Sequence, residues 1–254
     1  VVLQDGSRIK TDMVFLGLGV SPNTELAEKA GLELGETGAI KVNKNLQTSD
    51  KNIYALGDAV EVENIVTGKP LQLPMAGPAN KQGRITADNI CGHQKTYEGS
   101  QGTSIVKIFD LEAGVTGACE KVLNEEGIDY RVSYTNSHNH AGYYPGSVSM
   151  FIKLIFSPSG KVLGAQIVGR EGVDKQIDLL AQTVREEIDI YDLQQQELAY
   201  APPFGSAKAP VNMAGFVAGN ILKENMEIIH WYQIEDLKDD VILLDVREEV
   251  ETKL

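Results

Sequence analysis

At 254 residues, 42% hydrophobic and 23% charged, the chain falls in the soluble globular class and has room for about two domains with a sizeable core. Its net charge of −13 leaves no basic stripe to neutralise phosphates, which argues against nucleic acid as a partner. No apolar run approaches the roughly 18 residues of a bilayer span, and the first residues lack a charged-then-apolar leader, so no membrane partner and a cytoplasmic location are expected.

A strand over residues 1–3 runs into the Asp5-Gly6 turn, and the apolar run 13–17 fits a buried parallel strand. A short helix is expected over 24–29 and extended segments near 39–42 and 53–56. A helix over 77–90 follows, with Ile85, Ala87 and Ile90 as its apolar face. Residues 91–103, rich in Gly, Ser and Gln, read as a linker and set a domain boundary.

Beyond the linker the rhythm changes. Segments 104–109, 130–134, 149–156 and 162–168 read as strands of an antiparallel sheet, with Ser157-Pro158-Ser159-Gly160 as a hairpin turn. Val173, Ile177, Leu180, Ala181 and Val184 recur at helical spacing and make one buried stripe. After the Pro202-Pro203 break, a helix over 209–222 carries Ala214, Gly215, Ala218 and Gly219, small enough to let a neighbour approach closely. Strands followed by helices define an α+β domain. A third pattern opens at Met226, with a helix expected over 234–238 and a strand over 241–247.

Cys91 and Cys119, the two cysteines, form neither a CxxC pair nor zinc-ligand spacing, and both read as buried small apolar residues. Both chain ends read as cuts in a longer polypeptide, one entering directly as a strand and the other stopping just after one.

The most specific segment is Thr48-Ser49-Asp50-Lys51-Asn52-Ile53-Tyr54-Ala55-Leu56-Gly57-Asp58. A short buried strand would deliver a glycine, which lets backbone approach a ligand, and then a carboxylate able to accept hydrogen bonds from hydroxyls. A Gly-Asp pair taken alone also fits a strand ending in a solvated turn. Leu73-Pro74-Met75-Ala76-Gly77-Pro78-Ala79-Asn80 opens a helix whose free N–H groups would face negative charge. Two further loops are rich in phenols: His140-Ala141-Gly142-Tyr143-Tyr144-Pro145-Gly146, and Tyr200-Ala201-Pro202-Pro203-Phe204-Gly205-Ser206-Ala207-Lys208.

Together these segments resemble the pyridine nucleotide-disulfide oxidoreductase family, and within it coenzyme A-disulfide reductases carrying a C-terminal rhodanese-like domain. The resemblance implies three parts: the α/β end of a Rossmann-like FAD/NAD(P)-binding domain (residues 1–97), an α+β dimerisation domain (98–224) and the start of an α/β rhodanese-like domain (225–254). The last rests on Asp245-Val246-Arg247-Glu248 after an apolar run. It further implies that Thr48, Gly57, Asp58, Ala76 and Gly77 bind FAD, with Asp58 on the ribityl chain and the Ala76–Gly77 helix start at the flavin's pyrimidine edge. Tyr143, with Tyr144 as the other choice, and Tyr200 would act catalytically across a homodimer by donating to a sulfur leaving group. Asn80, Lys208 and Val211 would line the substrate site, Lys208 toward phosphate.

The implied activity is FAD-dependent NAD(P)H:disulfide oxidoreduction, with coenzyme A disulfide, or a coenzyme A persulfide or polysulfide, as substrate. Alternatives are an NADH oxidase or peroxidase on the same scaffold, or a non-catalytic dimerisation module. The family's GxGxxG loops and redox cysteine are missing from these residues, so the 254 residues alone are not expected to turn over.

Overall fold

In the computed structural model, which describes residues 1–237 and 241–248, a three-stranded sheet with one long helix precedes a five-stranded antiparallel sheet covered by helices. The first unit holds α1 (Glu25–Lys29), β1 (Ile40–Lys41), β2 (Val60–Glu63), β3 (Pro70–Gln72) and α2 (Ala76–Ile90). Strand β2 is central, parallel to β1 and antiparallel to β3, and a single 3-10 turn at Gly57–Ala59 feeds into it.

Helix α2 stands where the sequence places it, but its buried face differs from the expected Ile85, Ala87 and Ile90. Ile90 is 64% exposed, whereas Gln82, Thr86 and Asn89 point inward. Gln82 and Asn89 face irregular backbone, and buried backbone groups need polar partners. Gln82 Oε1 accepts from the Gly57 N–H at 2.7 Å. Asn89 donates to the carbonyls of Asn45 (3.0 Å) and Lys95 (2.9 Å) and accepts from the Lys95 N–H (2.7 Å).

Two expected strands of this unit are not formed. Residues 13–17 are exposed, Phe15 at 88%, and pair with no strand among the described residues. Residues 53–56 contribute only the bridge between Gln47 and Tyr54, with Ile53 and Leu56 exposed. An apolar run becomes a buried parallel strand only where neighbours cover both its edges and faces.

The second unit comprises β4 (Ser104–Ile108), β5 (Leu111–Gly117), α3 (Glu120–Glu125), β6 (Arg131–His138), β7 (Ser149–Phe156), β8 (Val162–Gly169), α4 (Val173–Arg185), α5 (Ile190–Gln195) and α6 (Pro210–Leu222). Its strands run in the order β4-β5-β8-β7-β6, each pair antiparallel. β5 escapes sequence reading because its apolar residues Leu111, Ala113 and Val115 fall on the less buried face, while the buried positions are taken by Gly114 and Thr116. Its Gly114 faces the helix layer, where an added Cβ would lie 3.1 Å from Ile177 and Val173.

The core lies between sheet and helices. Met150, Ile152, Leu154 and Phe156 of β7 meet Val173, Ile177, Leu180 and Val184 of α4 and Val211, Ala214 and Ala218 of α6. The expected α4 stripe therefore packs as read except at Ala181, which is only partly buried and lines the cleft between α2 and α4. The small residues of α6 do admit a neighbour: an added Cβ on Gly215 would come within 3.1 Å of the Ile190 carbonyl of α5. The cysteines differ from expectation, since Cys91 is exposed at the C-cap of α2 and Cys119 is partly exposed at the N-cap of α3. At the edges of packed units, a small side chain at a helix end is left facing solvent.

After α6 the chain forms a 3-10 turn at Trp231–Asp236 rather than a helix over 234–238, and residue 238 lies outside the described residues. Residues 241–248 are exposed and form no strand, again for want of a sheet to join, and 249–254 are outside the described residues. The turn is nevertheless fastened. His230 stacks on Tyr232 with centroids 5.4 Å apart and meets the Tyr134 ring of β6 edge-on at 5.6 Å. Lys153, 5.7 Å from the Tyr134 ring centroid, pairs with Glu120. Tyr134→Ala removes the ring that receives His230. Hydrogen exchange over residues 228–237 is expected to speed up by as much as about tenfold, the scale of one aromatic pair; unchanged exchange would show the turn is held by other contacts.

Candidate functional site

The first candidate site is built on the turn that enters β2. The Thr48 hydroxyl donates to the carbonyls of Asp50 (3.1 Å) and Ile53 (3.0 Å), so this residue closes the preceding loop. Gly57 takes a positive φ of 79°, and an added Cβ would meet only Ala79 at 3.7 Å; conformation rather than space calls for glycine. The Gly57 N–H is taken by Gln82 and the Asp58 carbonyl by Gln72 Nε2 at 2.7 Å. The Asp58 carboxylate is exposed, and no hydrogen bond to it is made among the described residues.

Helix α2 starts beside this turn. Its N-cap, Met75, offers no side-chain acceptor, and Ala76 and Gly77 are exposed, so the first-turn N–H groups and the positive dipole end face outward. Asn80 Nδ2 donates to the Ala76 carbonyl at 2.8 Å, inside its own helix. An unpaired carboxylate and a set of uncapped N–H groups thus share one edge. That combination suits a ligand bearing hydroxyls at one end and negative charge at the other. A cleft of about 540 Å³ adjoins the helix start, between α2 and α4, lined by Gly77, Pro78, Lys81, Tyr97, Asp178 and Arg185 among others.

The second candidate site joins two loops of the five-stranded unit. Asn139 closes the first loop by accepting from the Val148 N–H at 3.0 Å, and the buried His140 ring supports Tyr144 edge-on at 5.7 Å. The Ala141 N–H donates to the Gly205 carbonyl at 2.9 Å, tying this loop to the one following Tyr200. Lys175 of α4 steadies that second loop through the Phe204 carbonyl at 3.1 Å.

Across the junction the hydroxyls of Tyr143 and Tyr200 lie 3.0 Å apart, both side chains exposed. The hydrogen bond to Tyr200 holds the Tyr143 phenol above the usual tyrosine value near 10. Tyr144 instead packs on His140. Lys208 is exposed, its ammonium 5.7 Å from the Phe216 ring centroid, whereas Val211 is fully buried and its side chain packs in the core.

Sequence reasoning missed Gln72, Gln82 and Asn89. The only signal was polar residues recurring on one side of α2, at the spacing of a buried face.

Comparison with known proteins agrees with this architecture. A model described as pyridine nucleotide-disulphide oxidoreductase matches residues 1–83, and the dimerisation-domain model of the same family matches residues 103–210. The chain belongs to the pyridine nucleotide-disulphide oxidoreductase family. It is 38% identical over 223 residues to the NAD(P)H sulfur oxidoreductase (CoA-dependent) of Pyrococcus furiosus, covering 87% of this chain and 49% of that protein.

Among solved structures, Bacillus anthracis CoADR-RHD superposes with a TM-score of 0.88 at 48% identity, over 92% of this chain and 42% of the other. The NAD-dependent persulfide reductase from A. fulgidus does so with 0.92 at 41% identity, over 98% and 46%. The chain spans about half the length of the curated relatives it matches. The expected fold class, a Rossmann-like α/β portion followed by an α+β dimerisation domain, is that of the family.

Proposed function

We propose that this chain is part of an FAD-dependent NAD(P)H:disulfide oxidoreductase that acts as a homodimer on coenzyme A disulfide or on a coenzyme A persulfide or polysulfide. Residues 1–97 then form the end of the FAD/NAD(P)-binding domain, 98–224 the dimerisation domain and 225–254 the opening of a rhodanese-like domain. The observation that carries the reading is the pair of exposed phenols, brought to 3.0 Å by two loops that a backbone hydrogen bond ties together. An isolated tyrosine is ordinary packing; two phenols that share a hydrogen bond at the surface form a proton source.

The residues present fit FAD. Its ribityl hydroxyls find an acceptor in Asp58, and the uncapped start of α2 at Ala76 and Gly77 suits the negative charge of the reduced ring. When bound, FAD supplies two-electron transfer between nicotinamide and sulfur. One NAD(P)H and one proton are consumed per disulfide, and two thiols leave. Tyr143 and Tyr200 donate to the departing sulfur so that it leaves as thiol rather than bare thiolate. Lys208 offers its ammonium to the phosphates of the substrate.

The test uses the protein expressed from its full reading frame. Its visible spectrum reports bound flavin, and NADH or NADPH consumption is compared with coenzyme A disulfide, coenzyme A persulfide and dioxygen as acceptors. Asp58→Ala is expected to weaken FAD binding by about tenfold or more, the loss of a charge-assisted hydrogen bond. A colourless wild type would sink the flavin assignment, and faster turnover with dioxygen than with either sulfur substrate would replace the reductase by an oxidase.

A further inference from the structure

Gln82 interrupts the logic of its helix. It sits on the inward face of α2, only 2% exposed, at a position where periodicity alone calls for an apolar side chain. Burying an amide costs free energy unless it is paired, and Gln82 is paired with one group, the N–H of Gly57, 25 positions earlier in the chain. That N–H belongs to the residue whose left-handed backbone aims Asp58 outward. On the far side of Asp58, Gln72 of β3 holds the carbonyl. The Leu56–Gly57 peptide and the Asp58–Ala59 peptide, which flank the Gly57–Asp58 link, are therefore each held by a glutamine amide from a different element.

Because Gln82 is rooted in α2, its bond also ties the turn to the helix whose first N–H groups form the other half of the site. We infer that Gln82 is a positioning residue for the flavin cradle: through the Gly57 N–H it sets the distance and direction between the Asp58 carboxylate and the start of α2. The inference rests on the reading of Gly57–Asp58 and Ala76–Gly77 as the FAD site. It adds that the cradle is one rigid unit held by a side chain that never touches the ligand.

The experiment compares Gln82→Leu, which keeps the volume and removes the acceptor, with Gln82→Glu, which keeps an acceptor oxygen. Gln82→Asn keeps the amide but shortens its reach. Thr86→Val serves as a control on the same buried face, where the Thr86 hydroxyl has no hydrogen-bond partner. FAD affinity is measured by titrating flavin-free full-length protein, and hydrogen exchange over residues 56–60 is followed in that same flavin-free form.

Gln82→Leu and Gln82→Asn are expected to bind FAD about tenfold more weakly, the scale set by a buried donor left without an acceptor. Exchange at 56–60 is expected to quicken in both. Gln82→Glu and Thr86→Val are expected to stay near wild type in both readouts. Wild-type affinity in Gln82→Leu or, should that variant not fold, in Gln82→Asn would overturn the inference, as would equal losses in Thr86→Val. A wild type that binds no FAD would instead overturn the underlying assignment, and the exchange data would still decide whether Gln82 holds the turn.

Discussion

Replacing Tyr143 and Tyr200 together by phenylalanine is expected to lower the rate of disulfide reduction by about a hundredfold or more, the range of a lost general acid, with flavin content unchanged. Phenylalanine keeps the rings and hence the loop packing, so the loss isolates the two hydroxyls, 3.0 Å apart in the structure. The single variant Tyr200→Phe carries a second signature. In the wild type, the hydrogen bond that the protonated Tyr143 shares with Tyr200 holds the Tyr143 phenol above the usual tyrosine value, so its protonated form persists to higher pH. Activity that depends on that proton is present below the raised value and is lost as pH rises through it. Removing the Tyr200 hydroxyl lets the Tyr143 value fall back toward 10, and the alkaline limb of the rate profile moves down with it. Single-turnover rates against pH check this; a double variant within twofold of wild type at neutral pH would remove the phenols from the chemistry.

Gly164→Ala is expected to destabilise the five-stranded unit by about 3 kcal/mol, the upper end of the usual cost of forced overpacking. Gly164 of β8 faces Gly117 of β5 in register, and the two strands approach where neither has a side chain. An added Cβ on Gly164 would lie 2.3 Å from the Ala118 carbonyl oxygen and 2.9 Å from its nitrogen, and backbone cannot rotate away as a side chain can. Gly117 could not relieve the strain, since its φ is +70° and an added Cβ there would meet the Leu163 carbonyl at 2.3 Å. Thermal unfolding should show a midpoint lowered by roughly 6–12 °C. A midpoint within a degree or two of wild type would mean that β5 and β8 separate more readily than their pairing implies.

The helix stripe of Val173, Ile177, Leu180 and Val184, the β7 run Ser149–Phe156 and the small face of α6 are legible because each is a local pattern whose period matches its backbone. β5 is not legible, because its glycines answer to a neighbouring helix and strand that lie far away in the chain. The runs 13–17 and 241–247 show the converse. They are apolar enough for strands, yet among the described residues no neighbour completes a sheet around them.

What the sequence determined by itself, then, was the α/β-then-α+β order and the chemical types at the two sites: a Gly-Asp turn, a helix start free of side-chain caps and tyrosines in two loops. Those follow from residue identity and short-range spacing. It took the packed chain to show that Tyr143 rather than Tyr144 meets Tyr200, that Val211 belongs to the core, and that Gln82 and Gln72 hold the turn around Asp58. Each of these is a contact between residues distant in sequence. A polar side chain chosen for a single buried partner leaves no periodic trace until the chain brings that partner to it.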